Sequence, residues 1–258
     1  MKDVLKITNV SMRYSRNEVV HRVSASISSG EFCALLGLNG SGKSTLLKGI
    51  CGLVPIVEGD CTINEEKYLS FHEKKRAQLL SYIPQRMMSL EKISVQDVVL
   101  MGFNASLKFF QTPGKGEKLK AIEALRQVNM EDYAQRDIDS LSEGQKQLVV
   151  LARAIVQNTP VMLLDEPDSA LDFKNKHMVL EKVSHIIHKE QRAGLITLHD
   201  PNFAMQYCDR LLLLKEGTLI GEVHMHSCSR EEVQEKLSII YGDIDVICHG
   251  DSFWMGKA

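Results

Sequence analysis

Hydrophobic and polar positions alternate with two different periods along the chain. Over the first 85 residues the period is that of β-strands, with one helix that begins near Lys43. The strand-like segments are VLKITNV, EVVHRVSASI, EFCALLG, CTI and LLSYIP. After Gln85 the apolar residues recur at helical spacing in SVQDVVLMGF, in KLKAIEALRQVN and in a third helix from Gly144, with the loop QTPGKGE between the first two.

From Val161 onward, strands and helices alternate again. The predicted elements are the strand VMLLD, a helix over 173–190, the strand GLITLH, a short helix, and the strands RLLLL and GTLIGEV. The tail from Tyr241 is weakly patterned, with one small strand at IDVIC. This alternation predicts a parallel α/β sheet that is interrupted by a helical insertion.

Composition and charge narrow the class of protein. Of the 258 residues, 44% are apolar and 25% are charged, and the formal net charge is -2, so we expect a globular protein without a nucleic-acid partner. The six cysteines show no C-x-x-C spacing and the first residues lack the apolar core of a signal peptide, which indicates free thiols in a reducing cytosol. No apolar run approaches the roughly 18 residues that span a bilayer, so at a membrane another chain would supply the span.

The segment GLNGSGKST, residues 37–45, matches the pattern G-x-x-x-x-G-K-[ST] between an apolar strand and a helix. Its glycines let backbone N–H groups surround phosphate oxygens, and the start of the helix adds positive charge. Lys43 is expected to reach the β- and γ-phosphates and the Ser44 hydroxyl to hold Mg²⁺. The expected nucleotide-binding residues are Gly37, Asn39, Gly40, Ser41, Gly42, Lys43, Ser44 and Thr45.

Two carboxylates follow the apolar strand in VMLLDEP. The strand delivers Asp165 and Glu166 to the carboxyl edge of the sheet, where ligands of α/β proteins bind. We expect Asp165 to lie beside the Mg²⁺ and Glu166 to polarise the attacking water as catalytic base.

A second helix start with the features of an anion site lies in DSLSEGQKQL, residues 139–148. Ser142 is predicted to be the N-cap, and Gln145 to bond back to it. Leu148 and Leu151 recur at helical spacing, so one face of this helix is predicted to be buried.

With GLNGSGKST, LSEGQ and LLDEP in this order, the chain resembles an ABC-type ATPase, the nucleotide-binding subunit of a transporter. The minor motifs match as well: Tyr14 at the adenine position, Gln85 in YIPQ, SALD at 169–172 and His199 as the switch histidine. The resemblance implies an α/β P-loop NTPase with a mixed sheet, an N-terminal antiparallel β part and an inserted helical part. It also implies a single domain, in which 1–85 and 156–225 form the nucleotide-binding core, 86–155 the helical part, and 226–258 a C-terminal helix and short tail.

The resemblance assigns roles to individual residues. It implies ATP and Mg²⁺ as ligands, with Glu166, His199 and Gln85 catalytic and with Ser44, Gln85 and Asp165 around the metal. It further implies that the helix that follows the Ser142 cap, called here the signature helix, closes over ATP held by a second copy, so that two chains sandwich two ATP molecules. Besides the residues of GLNGSGKST, the resemblance assigns six more to the nucleotide sites, whether in the same chain or across the dimer. They are Tyr14, Ser142, Gly144, Gln145, Asp165 and Asp172. The family usually has glycine where this chain has Glu143, and a carboxylate there is expected to repel phosphate unless it points to solvent.

The C-terminal third looks most like the ATPases of importers for iron chelates (siderophores, haem) and cobalamin. The implied partners are a second copy, transmembrane permease subunits and, indirectly, an extracytoplasmic substrate-binding protein, and the implied location is the cytoplasmic face of the inner membrane. The alternatives are another importer, an exporter or a non-transport ABC protein. Met87 and Met88 either dock the permease or fill the helical core, and His224, His226 and Cys228 form either a chance arrangement or a metal site.

Overall fold

The computed structural model describes residues 2–14, 17–85, 92–108, 111–250 and 252–258. The strands are β1 (Asp3–Tyr14), β2 (Asn17–Ser28), β3 (Phe32–Leu36), β4 (Ile56–Ile63), β5 (Leu80–Ile83), β6 (Val161–Asp165), β7 (Ala193–Thr197), β8 (Arg210–Lys215), β9 (Thr218–His224), β10 (Ile244–His249) and β11 (Ser252–Lys257). The helices are α1 (Lys43–Ile50), α2 (Glu73–Arg76), α3 (Val95–Leu100), α4 (Lys115–Gln127), α5 (Glu143–Gln157), α6 (Phe173–Lys189), α7 (Pro201–Tyr207) and α8 (Arg230–Tyr241).

A six-stranded sheet of order β5-β6-β7-β3-β8-β9 forms the centre of the fold. Its pairs are parallel except for β8 with β9, which is antiparallel. Every residue of β3, β6 and β7 is buried, because helices cover one face of the sheet and the N-terminal sheet and α1 cover the other. This is why these three segments read as continuous apolar runs.

The first strands form a separate antiparallel sheet of order β2-β1-β4. Alternate residues of β1 face the core, as in Leu5 and Ile7, while the intervening Lys6 is exposed. The predicted α/β fold with an antiparallel N-terminal part, a mixed sheet and a helical part is therefore confirmed. The one antiparallel pair of the mixed sheet arises because β9 returns beside β8 in a hairpin.

The helices α3, α4 and α5 lie between β5 and β6 along the chain, and their apolar faces share one core. The helix α4 begins at Lys115, inside the segment QTPGKGE that was predicted to be a loop, because Glu117 accepts a hydrogen bond from the Gly114 N–H and caps the helix early. The assignment of 86–155 and 226–258 as separate parts of one domain stays a proposal.

The C-terminal tail holds more structure than its pattern predicts. After α8, the strands β10 and β11 form a two-stranded hairpin, where sequence predicted one small strand. The second strand, SFWMGK, was not predicted because its alternation is short and contains a glycine. No helix in the part of the chain that the structure describes is long and apolar enough to cross a membrane.

Candidate active site

The loop between β3 and α1 forms a cradle for an anion. The N-cap of α1 is Gly42 in the left-handed region (φ 103°), and no side chain caps the helix. The backbone N–H groups of Lys43, Ser44 and Thr45 therefore have no partner from within the helix and point out of its first turn. A β-carbon on Gly37 would lie 2.3 Å from the carbonyl oxygen of Leu214, so only glycine fits there.

Lys43, the first residue of α1, is buried with its ammonium group among carbonyl oxygens of the loop. Its Nζ donates hydrogen bonds to the carbonyl oxygens of Gly37 at 2.8 Å and Leu38 at 3.2 Å. Burial lowers the pKa of Lys43, and the nearby carboxylates of Glu166 and Asp165 oppose this change. The hydroxyl of Ser41 is also buried and has no hydrogen-bond partner among the described residues. A phosphate group would supply negative charge beside the Lys43 ammonium and an acceptor for the Ser41 hydroxyl, so the cradle fits a nucleotide.

Asp165 lies at the end of β6, at the centre of a group of hydroxyl donors. Its Oδ1 accepts hydrogen bonds from the hydroxyls of Ser44 at 2.8 Å and Thr197 at 2.9 Å, and its Oδ2 accepts one from Tyr82 at 3.2 Å. Burial and the Asp165 charge raise the pKa of Tyr82, so this phenol stays protonated and remains a donor. A carboxylate and a hydroxyl in contact are hard oxygen ligands of the kind that Mg²⁺ prefers.

Glu166 follows Asp165 with its backbone in the left-handed region (φ 48°). Its N–H donates to the Thr197 hydroxyl at 2.9 Å, which holds this unusual conformation in place. Its Oε2 accepts a hydrogen bond from Gln85 Nε2 and lies 2.7 Å from His199 Nε2. The three residues predicted to be catalytic therefore meet at one carboxylate oxygen.

Thr197 and Tyr82 were not among the residues predicted from the sequence. Each is a polar residue at or near the end of an apolar strand that neighbours β6, and this position was the available signal. Thr197 connects the Asp165 carboxylate to the Glu166 backbone, since its hydroxyl donates to Asp165 Oδ1 and accepts from the Glu166 N–H.

A cavity of about 480 Å³ opens above these groups. The predicted residues that line it are Tyr14, Asn39, Gly40, Ser41, Gly42, Lys43, Ser44, Thr45, Gln85, Glu166 and His199. The predicted residues Ser142, Gly144, Gln145 and Asp172 are not among its lining residues. Gly37 and Asp165 do not line the cavity, but Gly37 accepts a hydrogen bond from Lys43 and Asp165 accepts one from Ser44, both of which do. The structure thus divides the predicted nucleotide residues into a set at this cavity and a set at the start of α5.

The second set lies at the start of α5. Ser142 and Gln145 form the predicted capping box, with hydrogen bonds of 3.3 Å and 3.0 Å between side chain and backbone N–H. A β-carbon on Gly144 would lie 2.9 Å from the carbonyl oxygen of Ala170, so this glycine permits close packing against the loop 169–172. Asp172 ends that loop as the N-cap of α6, where its Oδ1 accepts from the Asn175 N–H at 2.8 Å.

Glu143 points away from its own helix axis into solvent. Its side chain is 64% exposed, and its Oε1 accepts a hydrogen bond from Lys146 Nζ at 3.0 Å. The carboxylate therefore has a cationic partner one turn further along the helix, and it lies at a helix N-terminus, where negative charge is favourable.

Two further sequence hypotheses have different outcomes. Met87 and Met88 lie outside the described residues. The alternating residues of HMHSC do not converge: His224 lies 3.4 Å from Glu222, while His226 lies 3.0 Å from Asp209. The Cys228 thiol instead donates to the carbonyl oxygen of Met225.

Comparison with known proteins places this site in a family. The family model described as ABC transporter matches residues 20–169, more than half of the chain. A probable iron chelatin transport ATP-binding protein of Helicobacter pylori is 33% identical over 96% of this chain and 97% of its own length. A manganese transport system ATP-binding protein of Listeria monocytogenes is 33% identical over 94% and 98%. A phosphonates import ATP-binding protein of Escherichia coli is 30% identical over 95% and 97%.

Solved structures give the same result. A putative metal-chelate type ABC transporter in an inward-facing conformation matches 99% of this chain and 96% of the matched chain, with a TM-score of 0.81 and 27% identity. A dimeric bacterial ABC transporter cassette matches 87% of this chain and all of its own, with a TM-score of 0.78 and 26% identity. The chain belongs to the ABC transporter family as an ATP-binding protein, an ATPase coupled to transport.

Proposed function

We propose that this ATPase uses Glu166 as the general base of ATP hydrolysis. The observation that carries the proposal is the convergence of Gln85 and His199 on the Glu166 carboxylate, at the mouth of the cavity that holds Lys43. A positioned carboxylate of this kind accepts a proton from the attacking water. The amide of Gln85 and the imidazole of His199 orient the carboxylate until the γ-phosphate and water are in place.

The cradle binds the triphosphate of the substrate. Lys43 and the free N–H groups at the start of α1 neutralise the β- and γ-phosphates. Ser44, Asp165 and Gln85 are the residues that would hold Mg²⁺, which when bound neutralises charge on the phosphate oxygens. Tyr14 is about half exposed at the rim of the cavity, where its ring is available to stack on adenine.

The signature residues act on ATP held by a second copy. Ser142, Gly144, Gln145 and Asp172 do not line their own chain's cavity, yet Ser142 and the first N–H groups of α5 present a second positive helix end. The dimeric structure of a related cassette supports this arrangement. In the proposed dimer, each copy supplies the phosphate cradle for one ATP and the signature helix for the other.

The transported substrate is an iron chelate (siderophore or haem) or cobalamin, imported through a separate permease. The support is the similarity over nearly the whole chain to an iron chelatin transport ATPase and to a metal-chelate type transporter. The ATPase would sit at the cytoplasmic face of the cell membrane on permease subunits, with an extracytoplasmic binding protein delivering the substrate. Relatives named for manganese and phosphonate define the competing substrates.

Replacing Glu166 by Gln tests the catalytic proposal. The Glu166→Gln protein is expected to bind ATP, to lose turnover by at least about a hundredfold and to accumulate an ATP-bound dimer. Glu123→Gln, a change of the same chemistry at an exposed site on α4, is the matched control. Hydrolysis that survives in Glu166→Gln would remove this residue from the role of base.

Reconstitution with the co-purified permease tests the substrate proposal. Proteoliposomes are loaded with ATP on the side of this subunit and given ferric siderophore, haem, cobalamin, Mn²⁺ or a phosphonate in parallel. Uptake of one of the first three, absent with Glu166→Gln, is the expected result. Uptake of Mn²⁺ or phosphonate alone would overturn the chelate assignment and leave the ATPase assignment intact.

A further inference from the structure

An aromatic groove of about 400 Å³ lies where the start of α6, helix α7 and the C-terminal hairpin meet. The residues that define it are Phe173, Lys176, His177, Asp200, Phe203 and Trp254. Phe173 is 73% exposed and Trp254 is 41% exposed, although the Phe173 ring packs edge-on against His177, which packs edge-on against Phe203. Large aromatic side chains exposed beside a cavity are typical of a contact surface rather than of a free monomer surface.

The hairpin extends this apolar surface and is fixed in position. Ile247 lies directly opposite Trp254 in the hairpin and is also exposed, so the two side chains share one face. Asn202 accepts from the Met255 N–H at 2.7 Å and donates to the Met255 carbonyl oxygen at 3.2 Å. These two hydrogen bonds hold β11 against α7, and they fix Trp254 at the rim of the groove.

The groove is continuous with the surface assigned to the second copy. Gly144, at the start of the signature helix, packs against Ala170, and the next residue, Leu171, lines the groove. Asp172 then caps α6 immediately before Phe173. A second copy that reaches the signature helix and the loop 169–172 therefore also approaches the groove.

A buried carboxylate beside the groove lacks one hydrogen bond. Asp168 is 2% exposed, and its Oδ2 lies 3.5 Å from Nζ of Lys176, a groove residue. Its Oδ1 is buried and has no hydrogen-bond partner among the described residues. An unpaired buried carboxylate oxygen is unfavourable, and the Asp168 charge keeps the Lys176 ammonium close by at the groove.

We propose that a second copy of this chain covers the aromatic groove and that this contact holds two copies together without ATP. A two-fold contact requires a self-complementary surface, and this patch carries both parts: the protruding Phe173 and Trp254, and a cavity to receive them. Lys176 and Asp200 also place opposite charges in the same patch, which is the charge arrangement that a two-fold contact requires. The proposal rests on the ATP-bound dimer proposed above and adds an interface that nucleotide does not create.

The single tryptophan of the chain makes the test direct, because Trp254 itself reports on burial. The full-length protein, free of nucleotide and in EDTA, is studied by sedimentation velocity and by acrylamide quenching of fluorescence over a range of concentrations. We expect reversible dimerisation, with the quenching constant of Trp254 falling about twofold or more as the dimer forms. A dimer in which Trp254 stays equally quenchable, or the absence of any dimer, would overturn the proposal.

Variants locate the contact. Phe173→Ser keeps the tryptophan reporter and is expected to raise the dimer Kd about tenfold or more, as is usual for a buried aromatic contact residue. Trp254→Ser is expected to do the same in sedimentation. Leu119→Ser, which removes an equally exposed apolar side chain on α4, is the matched control and should leave Kd unchanged. Thermal unfolding shows whether each variant remains folded.

The two proposals fail in different ways. If ATP does not drive dimerisation of Glu166→Gln while the ATP-free dimer is present, the nucleotide sandwich is wrong and the groove contact stands. If ATP drives dimerisation but Phe173→Ser matches Leu119→Ser in Kd, the groove contact is wrong. If Phe173→Ser instead lowers co-purification of the permease and leaves Kd unchanged, the groove binds the permease and the proposal is overturned.

Discussion

Gln147 donates a hydrogen bond from its Nε2 to the carbonyl oxygen of Pro84 at 3.1 Å. Gln147 lies in the second turn of α5, is buried, and sits a few residues after the Ser142 cap. Pro84 directly precedes Gln85, whose amide contacts Glu166. The start of the signature helix is therefore joined by one partly buried hydrogen bond to the segment that contacts the proposed catalytic base.

Gln147→Leu is expected to remove the hydrogen bond that connects these two segments. The change leaves the Pro84 carbonyl oxygen without its donor, so we expect a loss of about 1 kcal/mol in the free energy of unfolding. We also expect stimulation of ATPase activity by the reconstituted permease to fall, because motion of the helical part is then transmitted less well to Gln85. Thermal unfolding and the ratio of permease-stimulated to basal ATPase rate measure the two effects.

Gln157→Leu is the control for this prediction. Gln157, in the last turn of the same helix, donates from Nε2 to the carbonyl oxygens of Ala77 at 2.8 Å and Leu80 at 3.2 Å. Its removal is expected to cost similar stability at the opposite end of β5, yet to leave the stimulation ratio unchanged. Equal ratios in the two variants would show that the Gln147 bond serves stability alone.

Thr197→Val is expected to lower both stability and kcat, although valine and threonine have nearly the same shape. Valine keeps the volume but removes the donor to Asp165 and the acceptor for the Glu166 N–H. One buried donor is then left unpaired, which costs about 1–3 kcal/mol in the free energy of unfolding. Because Glu166 loses the bond that holds its left-handed backbone, we expect kcat to fall about tenfold, which corresponds to about 1.4 kcal/mol. Steady-state ATPase kinetics provide the measurement.

Thr197→Ser is the rescue variant. Serine keeps both hydrogen bonds and removes only a methyl group, so kcat is expected to recover most of the loss. If Thr197→Ser and Thr197→Val have equal kcat, packing rather than hydrogen bonding accounts for the role of this residue.

The sequence predicts those parts of the site that lie within one continuous motif. It does not predict contacts that depend on which strands are neighbours in the sheet. Lys43, Ser44 and the Ser142 cap lie in continuous motifs whose spacing alone determines the geometry. Thr197 acts on Asp165 only because β7 is the neighbour of β6, and one sequence does not show that pairing. The hairpin strand β11 was missed for a related reason, since it is held by α7, a distant part of the chain.

The buried thiol of Cys61 is expected to make the protein less stable in alkali. Burial, with a smaller effect of the Asp60 charge, raises the pKa of Cys61 from 9.0 to about 12. Above pH 9 the unfolded chain loses this proton while the folded chain retains it, so stability that is fully present below pH 9 decreases as the pH rises toward 12. At pH 10 the thiol accounts for about 1 kcal/mol of the loss.

Cys61→Ala tests this assignment. The unfolding free energy of each protein is measured by urea unfolding at pH 8 and at pH 10. The decrease from pH 8 to pH 10 is expected to be about 1 kcal/mol smaller in Cys61→Ala than in the parent protein. The alanine variant is less stable at both pH values, so the comparison is made on the difference between them. The control is Cys248→Ala, at an exposed thiol that water reaches in both states. An unchanged difference in Cys61→Ala would assign the alkaline loss to other groups.

Glu143 is expected to leave ATP-driven dimerisation intact as long as Lys146 is present. The carboxylate is exposed and bonded to the Lys146 ammonium, so its charge is balanced within one turn of the helix. Glu143→Gly is then expected to change the Kd of the ATP-bound dimer by less than about twofold, and to cost about 1 kcal/mol in stability because glycine weakens a helix start. Sedimentation of each variant in the Glu166→Gln background, with ATP present, provides the measurement.

Removing Lys146 is expected to have the opposite effect from removing Glu143. In Lys146→Met the Glu143 carboxylate is no longer balanced, and its repulsion of the partner's triphosphate is expected to weaken the ATP-bound dimer about threefold to tenfold. Adding Glu143→Gln to Lys146→Met removes the unbalanced charge and is expected to restore the dimer. Such a double-mutant cycle separates the interaction between Glu143 and Lys146 from the other effects of each substitution. If Glu143→Gly alone tightens the dimer about tenfold, the carboxylate restrains closure even when paired, because Lys146 does not neutralise it at the interface.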